Sequence, residues 1–167
     1  MKIAERGVMR IRREGEVSVR FEGIEVRTEG VEKGMGCTEY LRGRLEVVKE
    51  VMKDTIDRYF SIEGKKRLSL VTIEWGDKVK LSYYGRCYWK GLRIVMCSQM
   101  RYAIEECVDM VIWHEICHLE EPNHKYRFKA LESQFPNFYK IRSYYERFCY
   151  YVRAHQQELD VECLEQL

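Results

Sequence analysis

Three of the four histidines fall in one eleven-residue window, and two of them frame His114-Glu115-Ile116-Cys117-His118. This H-E-x-x-H spacing constrains the fold more than any other feature of the chain. At about 100° per residue, His118 lies about 40° round from His114 and one turn along. Both imidazoles therefore reach one metal ion if the segment is helical. Independent placement of residues gives about 0.01 such matches in a chain of this composition. The context agrees, because residues 103–120 are apolar nearly all round. That pattern predicts a buried helix, which Pro122 ends. Glu115 falls about 80° to one side of the bisector of the two histidines, close enough to hold a metal-bound water without ligating the metal. Ile116 is expected in the core, and Cys117 is expected to pack beside the site.

A catalytic zinc needs a third protein ligand and an open position. His124 is the best candidate, since Pro122 turns the chain and His124 is expected to open the next helix with Asn123 as its cap. Phe128 and Leu131 would anchor that helix against the first. Glu120, Glu121 and Glu132 are weaker alternatives for the third ligand. The spacing of the three histidines equals that of the metzincins, but their pattern needs Gly at position 121 and a later Met. Here position 121 is Glu, and no Met follows Met110. A structural zinc site has no use for an acid at position 115, so Glu115 argues for hydrolysis.

The rest of the chain predicts an α+β fold: a small antiparallel sheet packed against helices, with the histidine motif on a buried helix. Residues 8–28 alternate in the manner of a small antiparallel meander, and Gly30, Gly34 and Gly36 mark a linker. Residues 1–37 are thus expected to form a small β module with its linker, and residues 38–167 the main domain. Leu41, Leu45, Val48, Met52, Ile56 and Tyr59 predict one amphipathic helix from Thr38 to near Gly64. Leu68–Trp75 and Val79–Tyr83 predict a hairpin through Gly76-Asp77. Gly85–Gly91 reads as a loop, Leu92–Cys97 as a third strand, and Phe138 to about Glu165 as a last long helix.

Seven cysteines, without a C-x-x-C pair or an apolar leader at the amino terminus, point to a reducing cytoplasm. The longest strongly apolar stretch, Val108–Trp113, is too short to span a membrane. A net charge of +2 names no partner.

The motif and its surroundings resemble the SprT-like and YgjP-like (WLM) minimal metallopeptidases of the zincin class, and the YgjP-like branch most. The resemblance rests on Tyr84-Gly85-Arg86-Cys87, Gly91-Leu92-Arg93-Ile94, His114-Glu115-Ile116-Cys117-His118-Leu119, Pro122-Asn123-His124 and Phe135-Pro136. It covers about residues 68–140. Tyr84 and Arg86 stand where the family usually has Trp and Ser. The resemblance implies a zincin-like fold, zinc as cofactor, His124 as third ligand, and Glu115 as general base toward a zinc-bound water. It implies a protein or peptide substrate, with DNA-associated proteins among the targets of the family. A branch assigned nucleoside-triphosphate pyrophosphatase activity keeps a nucleotide hydrolase as the alternative, and a non-catalytic zinc-stabilised module is a third.

Hydrolysis also needs a donor for the developing oxyanion. Arg86, His155 and the tyrosines of the last helix are the candidates. Strand Leu92–Cys97 is a candidate edge for pairing with an extended peptide. Residues 125–153 hold seven basic and two acidic residues among ten aromatics, a composition compatible with nucleic-acid binding. The same pattern also suits a core with a solvated face.

Overall fold

The computed structural model describes residues 9–13, 16–21, 24–29, 38–76 and 85–150. Near the amino terminus β1 (Met9–Arg13), β2 (Glu16–Phe21) and β3 (Ile24–Glu29) pair in sequence order as an antiparallel meander. Period-two alternation is the signal for such strands. The linker glycines lie outside the described residues, as do Val79–Tyr83 and everything after residue 150.

The long helix expected from Thr38 to Gly64 is three helices: α1 (Thr38–Val51), α2 (Lys53–Tyr59) and α3 (Ile62–Leu70). The first break is slight, since the N–H of Ile56 still donates to the Met52 carbonyl at 2.8 Å. The second is complete: Phe60 turns extended, and Ser61 caps α3 by accepting the Gly64 N–H at 3.0 Å. Gly64 therefore sits inside a helix instead of ending one. A Cβ there would meet the tip of the Glu120 side chain, which can swing aside. Periodicity could not show these breaks, because Leu41, Leu45, Val48, Met52, Ile56, Phe60 and Leu68 continue one buried stripe through both.

The second sheet is mixed. Its strands are β4 (Thr72–Gly76), β5 (Gly85–Tyr88) and β6 (Arg93–Cys97), in the order β4-β6-β5. β4 runs parallel to β6 and β5 antiparallel to it. This corrects two expectations. Leu68–Leu70 are helical. Among the described strands β6 is central, and β5, whose residues read as loop, lies at one edge. The return strand of the hairpin expected through Gly76-Asp77 lies outside the described residues. A parallel pair needs a connection of about a dozen residues or more, and the chain between Gly76 and Arg93 provides it.

The motif helix, α4 (Glu105–Cys117), follows a 3-10 turn over Ser98–Tyr102 and packs on α1 and β5. Ten of its thirteen residues are buried, which explains why its sequence is apolar on every side. Trp113 lies at the centre of the core, with its ring stacked near Phe60 and its Nε1–H donating to the Leu131 carbonyl at 3.3 Å. That bond ties α4 to α5 (Tyr126–Glu132), and α6 (138–150) packs beyond it. Of the basic and aromatic segment, Phe128, Phe135, Phe138, Tyr144 and Phe148 are core, while Tyr126, Tyr139 and Tyr150 are exposed. Most of those rings are engaged in packing. Among the described residues no helix is long and apolar enough to cross a membrane.

Candidate metal centre

α4 brings His114 and His118 to its last turn, facing a cleft. The chain then bends through residues 123–125, and α5 begins only at Tyr126. His124 therefore lies in the bend, ahead of the helix it was expected to open, and Asn123 caps nothing. The bend turns His124 back over α4. One ring nitrogen from each of His114, His118 and His124 lies within 4.8 Å of the others.

Phe128 organises this cluster from behind. Its ring stacks on His118 with centroids 4.5 Å apart and meets His114 and His124 edge-on at 4.9 and 4.8 Å. Hydrogen bonds set the two imidazoles of α4. Nδ1 of His114 donates to Oε1 of Glu132 at 2.8 Å, and Nδ1 of His118 donates to the Glu121 carbonyl at 3.2 Å. A carboxylate and a carbonyl are acceptors only, so both Nδ1 atoms carry a proton, and Nε2 is the atom of each ring left to ligate a metal.

The donor set fits a zinc ion. Two nitrogens bound at about 2.0–2.1 Å in tetrahedral geometry stand about 3.3 Å apart. Nε2 of His114 and Nε2 of His124 are 3.3 Å apart. Burial, with His114 and His124 nearby, pushes His118 down to about 4, so it is neutral and available as a ligand near pH 7. His124 is likewise lowered by burial and by His114.

Glu115 is 3% exposed, with Oε1 3.9 Å from Nε2 of His114. Burial pushes its carboxyl up to about 7, against the pull of His114 and of a hydrogen bond from the Cys87 backbone. A pKa near neutrality suits a group that accepts and returns a proton. The β5 strand passes directly over it. A Cβ at Gly85 would lie 3.1 Å from the Glu115 carboxylate and from Val111, tighter than ordinary contact.

The cleft, about 530 Å³, is walled by Gly85, Arg86 and Cys87 of β5 and by Trp89 beyond it, with Met110 and Val111 as floor. Arg142 and Tyr145 of α6 also line it. Arg86 is thus on the cleft wall, with its guanidinium over the Tyr88 ring. His155 lies outside the described residues. Two features escaped sequence reasoning. One is the β5 edge. The other is the bond from Glu132 to His114, whose only signal was that position 132 is four residues beyond Phe128 and so shares its buried face.

A family model described as YgjP-like, metallopeptidase domain, matches residues 45–147. No curated protein and no solved structure matches the chain.

Proposed function

The chain belongs to the YgjP-like metallopeptidase family, and from that premise we propose that it is a zinc-dependent peptidase with Glu115 as general base. The convergence of three imidazole nitrogens beside one buried carboxylate that pairs with no described Lys or Arg carries this reading. His114, His118 and His124 would hold the ion, which when bound polarises the scissile carbonyl and lowers the pKa of water. Glu115 takes a proton from the attacking water and delivers it to the leaving amine. Its burial keeps that proton from bulk solvent.

Among the described residues no strand pairs with the outer edge of β5, and an extended peptide pairing there would lie across the cleft over Glu115. Arg86, on the same strand and lining the cleft, would steady the developing oxyanion. His155 stays a candidate for the same role. In this proposal residues 38–167 form the hydrolase domain, and residues 1–37 a separate small module. The buried state of most aromatics in 125–150 removes the main support for a nucleic-acid platform, so the substrate class is protein or peptide.

The test is a paired screen of the zinc-loaded chain. Peptide mixtures and nucleoside triphosphates are offered in parallel, with new amino termini read by mass spectrometry and pyrophosphate by release assay. Zinc-dependent peptide cleavage alone is expected. Pyrophosphate release without cleavage would contradict the peptidase reading.

A further inference from the structure

Glu132 is a buried carboxylate on α5, eight residues beyond His124, and its Oε1 sits 2.8 Å from Nδ1 of His114. An acid this close to three imidazoles could be a fourth ligand, a strut between helices, or a group that acts through His114. Its position separates these roles. Nδ1 and Nε2 lie on different edges of the ring with diverging lone pairs. A carboxylate bonded at Nδ1 is therefore turned away from the point toward which Nε2 of His114 and Nε2 of His124 converge at 3.3 Å. The strut role is already filled, because Trp113 donates across the same α4–α5 contact to the Leu131 carbonyl.

The two α4 histidines are also held unequally. His118 gives its Nδ1–H to a neutral carbonyl, and His114 gives its own to a carboxylate. Arg142 of α6 reaches toward the same carboxylate, NH1 to Oε1 3.9 Å, and also toward Glu146, Nε to Oε1 3.5 Å. Arg142 thus sets a positive charge beside the same oxygen that accepts from His114.

From this geometry we propose that Glu132 is the positioning residue of the metal centre: it fixes the His114 ring with Nε2 toward the cluster and makes that imidazole the strongest donor of the three. A carboxylate behind a ligating imidazole sets its tautomer and raises its basicity, and loss of such a partner weakens metal binding about 10- to 100-fold. The proposal rests on the zinc reading above, yet it can fail separately from it.

The experiment is zinc titration of the full chain against a chromophoric chelator, with no substrate present. Glu132→Ala should bind zinc about 10- to 100-fold more weakly, still at about one ion per chain. Glu132→Gln keeps an acceptor for the Nδ1–H but not the charge, so its loss should be smaller, about tenfold or less. Glu146→Gln, which removes a partner of Arg142 alone, should bind as wild type does. In the zinc-loaded wild type, the His114 Nδ1 proton should give a slowly exchanging NMR signal that disappears in Glu132→Ala. Should Glu132→Ala fail to fold, Glu132→Gln decides: weaker binding with an unchanged metal-free melting temperature supports the proposal, and wild-type affinity overturns it. Unchanged affinity in Glu132→Ala also overturns it. Complete loss of zinc in both Glu132 variants would make Glu132 a ligand and overturn it too. A wild-type chain that binds no zinc overturns the metal reading itself.

Discussion

Two carboxylates are buried on α4, less than two turns apart, and they are treated in opposite ways. Asp109 meets the Arg44 guanidinium of α1 through two bonds, Oδ1 to Nε at 2.9 Å and Oδ2 to NH2 at 2.5 Å. Glu105 and Tyr40 extend that network. Glu115 faces an imidazole and one backbone N–H. Burial pushes both carboxyls up, but only Asp109 has a guanidinium pulling back, and that bond in turn raises Arg44 further above its ordinary range. A buried ion with a matched partner holds two helices together. A buried acid left without a cation is costly to keep charged, and such a group concentrates at sites of chemistry. One end of the helix thus serves the fold, and the other serves the reaction.

The comparison is broken most severely at the ligands. His118→Ala should abolish tight zinc binding, because its neutral imidazole is one of three converging nitrogens. Metal analysis after dialysis checks this, and full occupancy in the variant would remove the site. His124→Ala should weaken binding more than Glu121→Ala, since only the Glu121 backbone carbonyl takes part, as acceptor for His118. The reverse order would move the third ligand to a carboxylate.

Next in size is the structural end. Asp109→Ala removes both Asp109 bonds and leaves the half-buried Arg44 with Glu105 alone, and should cost about 3 kcal/mol in denaturant unfolding. Replacing both partners by apolar residues, Arg44→Met with Asp109→Leu, should restore most of that stability with zinc content unchanged. A double variant that keeps stability but loses zinc would show that the two ends are not separable.

The same logic inverts at Glu115, with a dependence on pH. Its folded pKa is about 7 and its ordinary value 4.5. Between those values the folded chain binds more protons than the unfolded one. Its contribution therefore falls as pH rises through this window, and the full cost is present above about pH 7. In metal-free protein, Glu115→Gln should match wild type near pH 4.5 and be more stable near pH 8 by on the order of 3 kcal/mol. Equal stability at both pH values would mean that the charge is not costly, and the contrast with Asp109 would collapse. The smallest effect belongs to the surface. Arg93→Ala should change stability by less than about 1 kcal/mol, because its pair with Glu74 is half exposed.

How much of this was legible beforehand depended on the kind of signal. α4 was readable because a helix buried on every side is apolar on every side, and the histidine spacing placed the cluster on it. His124 was readable as a candidate because Pro122 forces a turn, although the bend over 123–125 and the later start of α5 were not. The sheet was not readable beyond its strands, because alternation marks a strand without naming its partner. The parallel partner of β4 therefore went unnamed, and β5, four residues with two aromatic neighbours and a glycine, looked like a loop. Glu132 looked like a spare ligand because sequence cannot show which edge of an imidazole it meets.

The central claim is that the uncompensated acid at the end of α4 works as a base and does not hold the metal. Gln at position 115 keeps the shape of Glu and cannot accept the proton. The decisive measurement is zinc content and peptide turnover of Glu115→Gln beside wild type, on the same preparation. The account predicts about one zinc per chain in both, with turnover lower by about 100- to 10,000-fold in the variant. Loss of zinc from the variant would make Glu115 a ligand, and unchanged turnover with zinc retained would contradict the account outright.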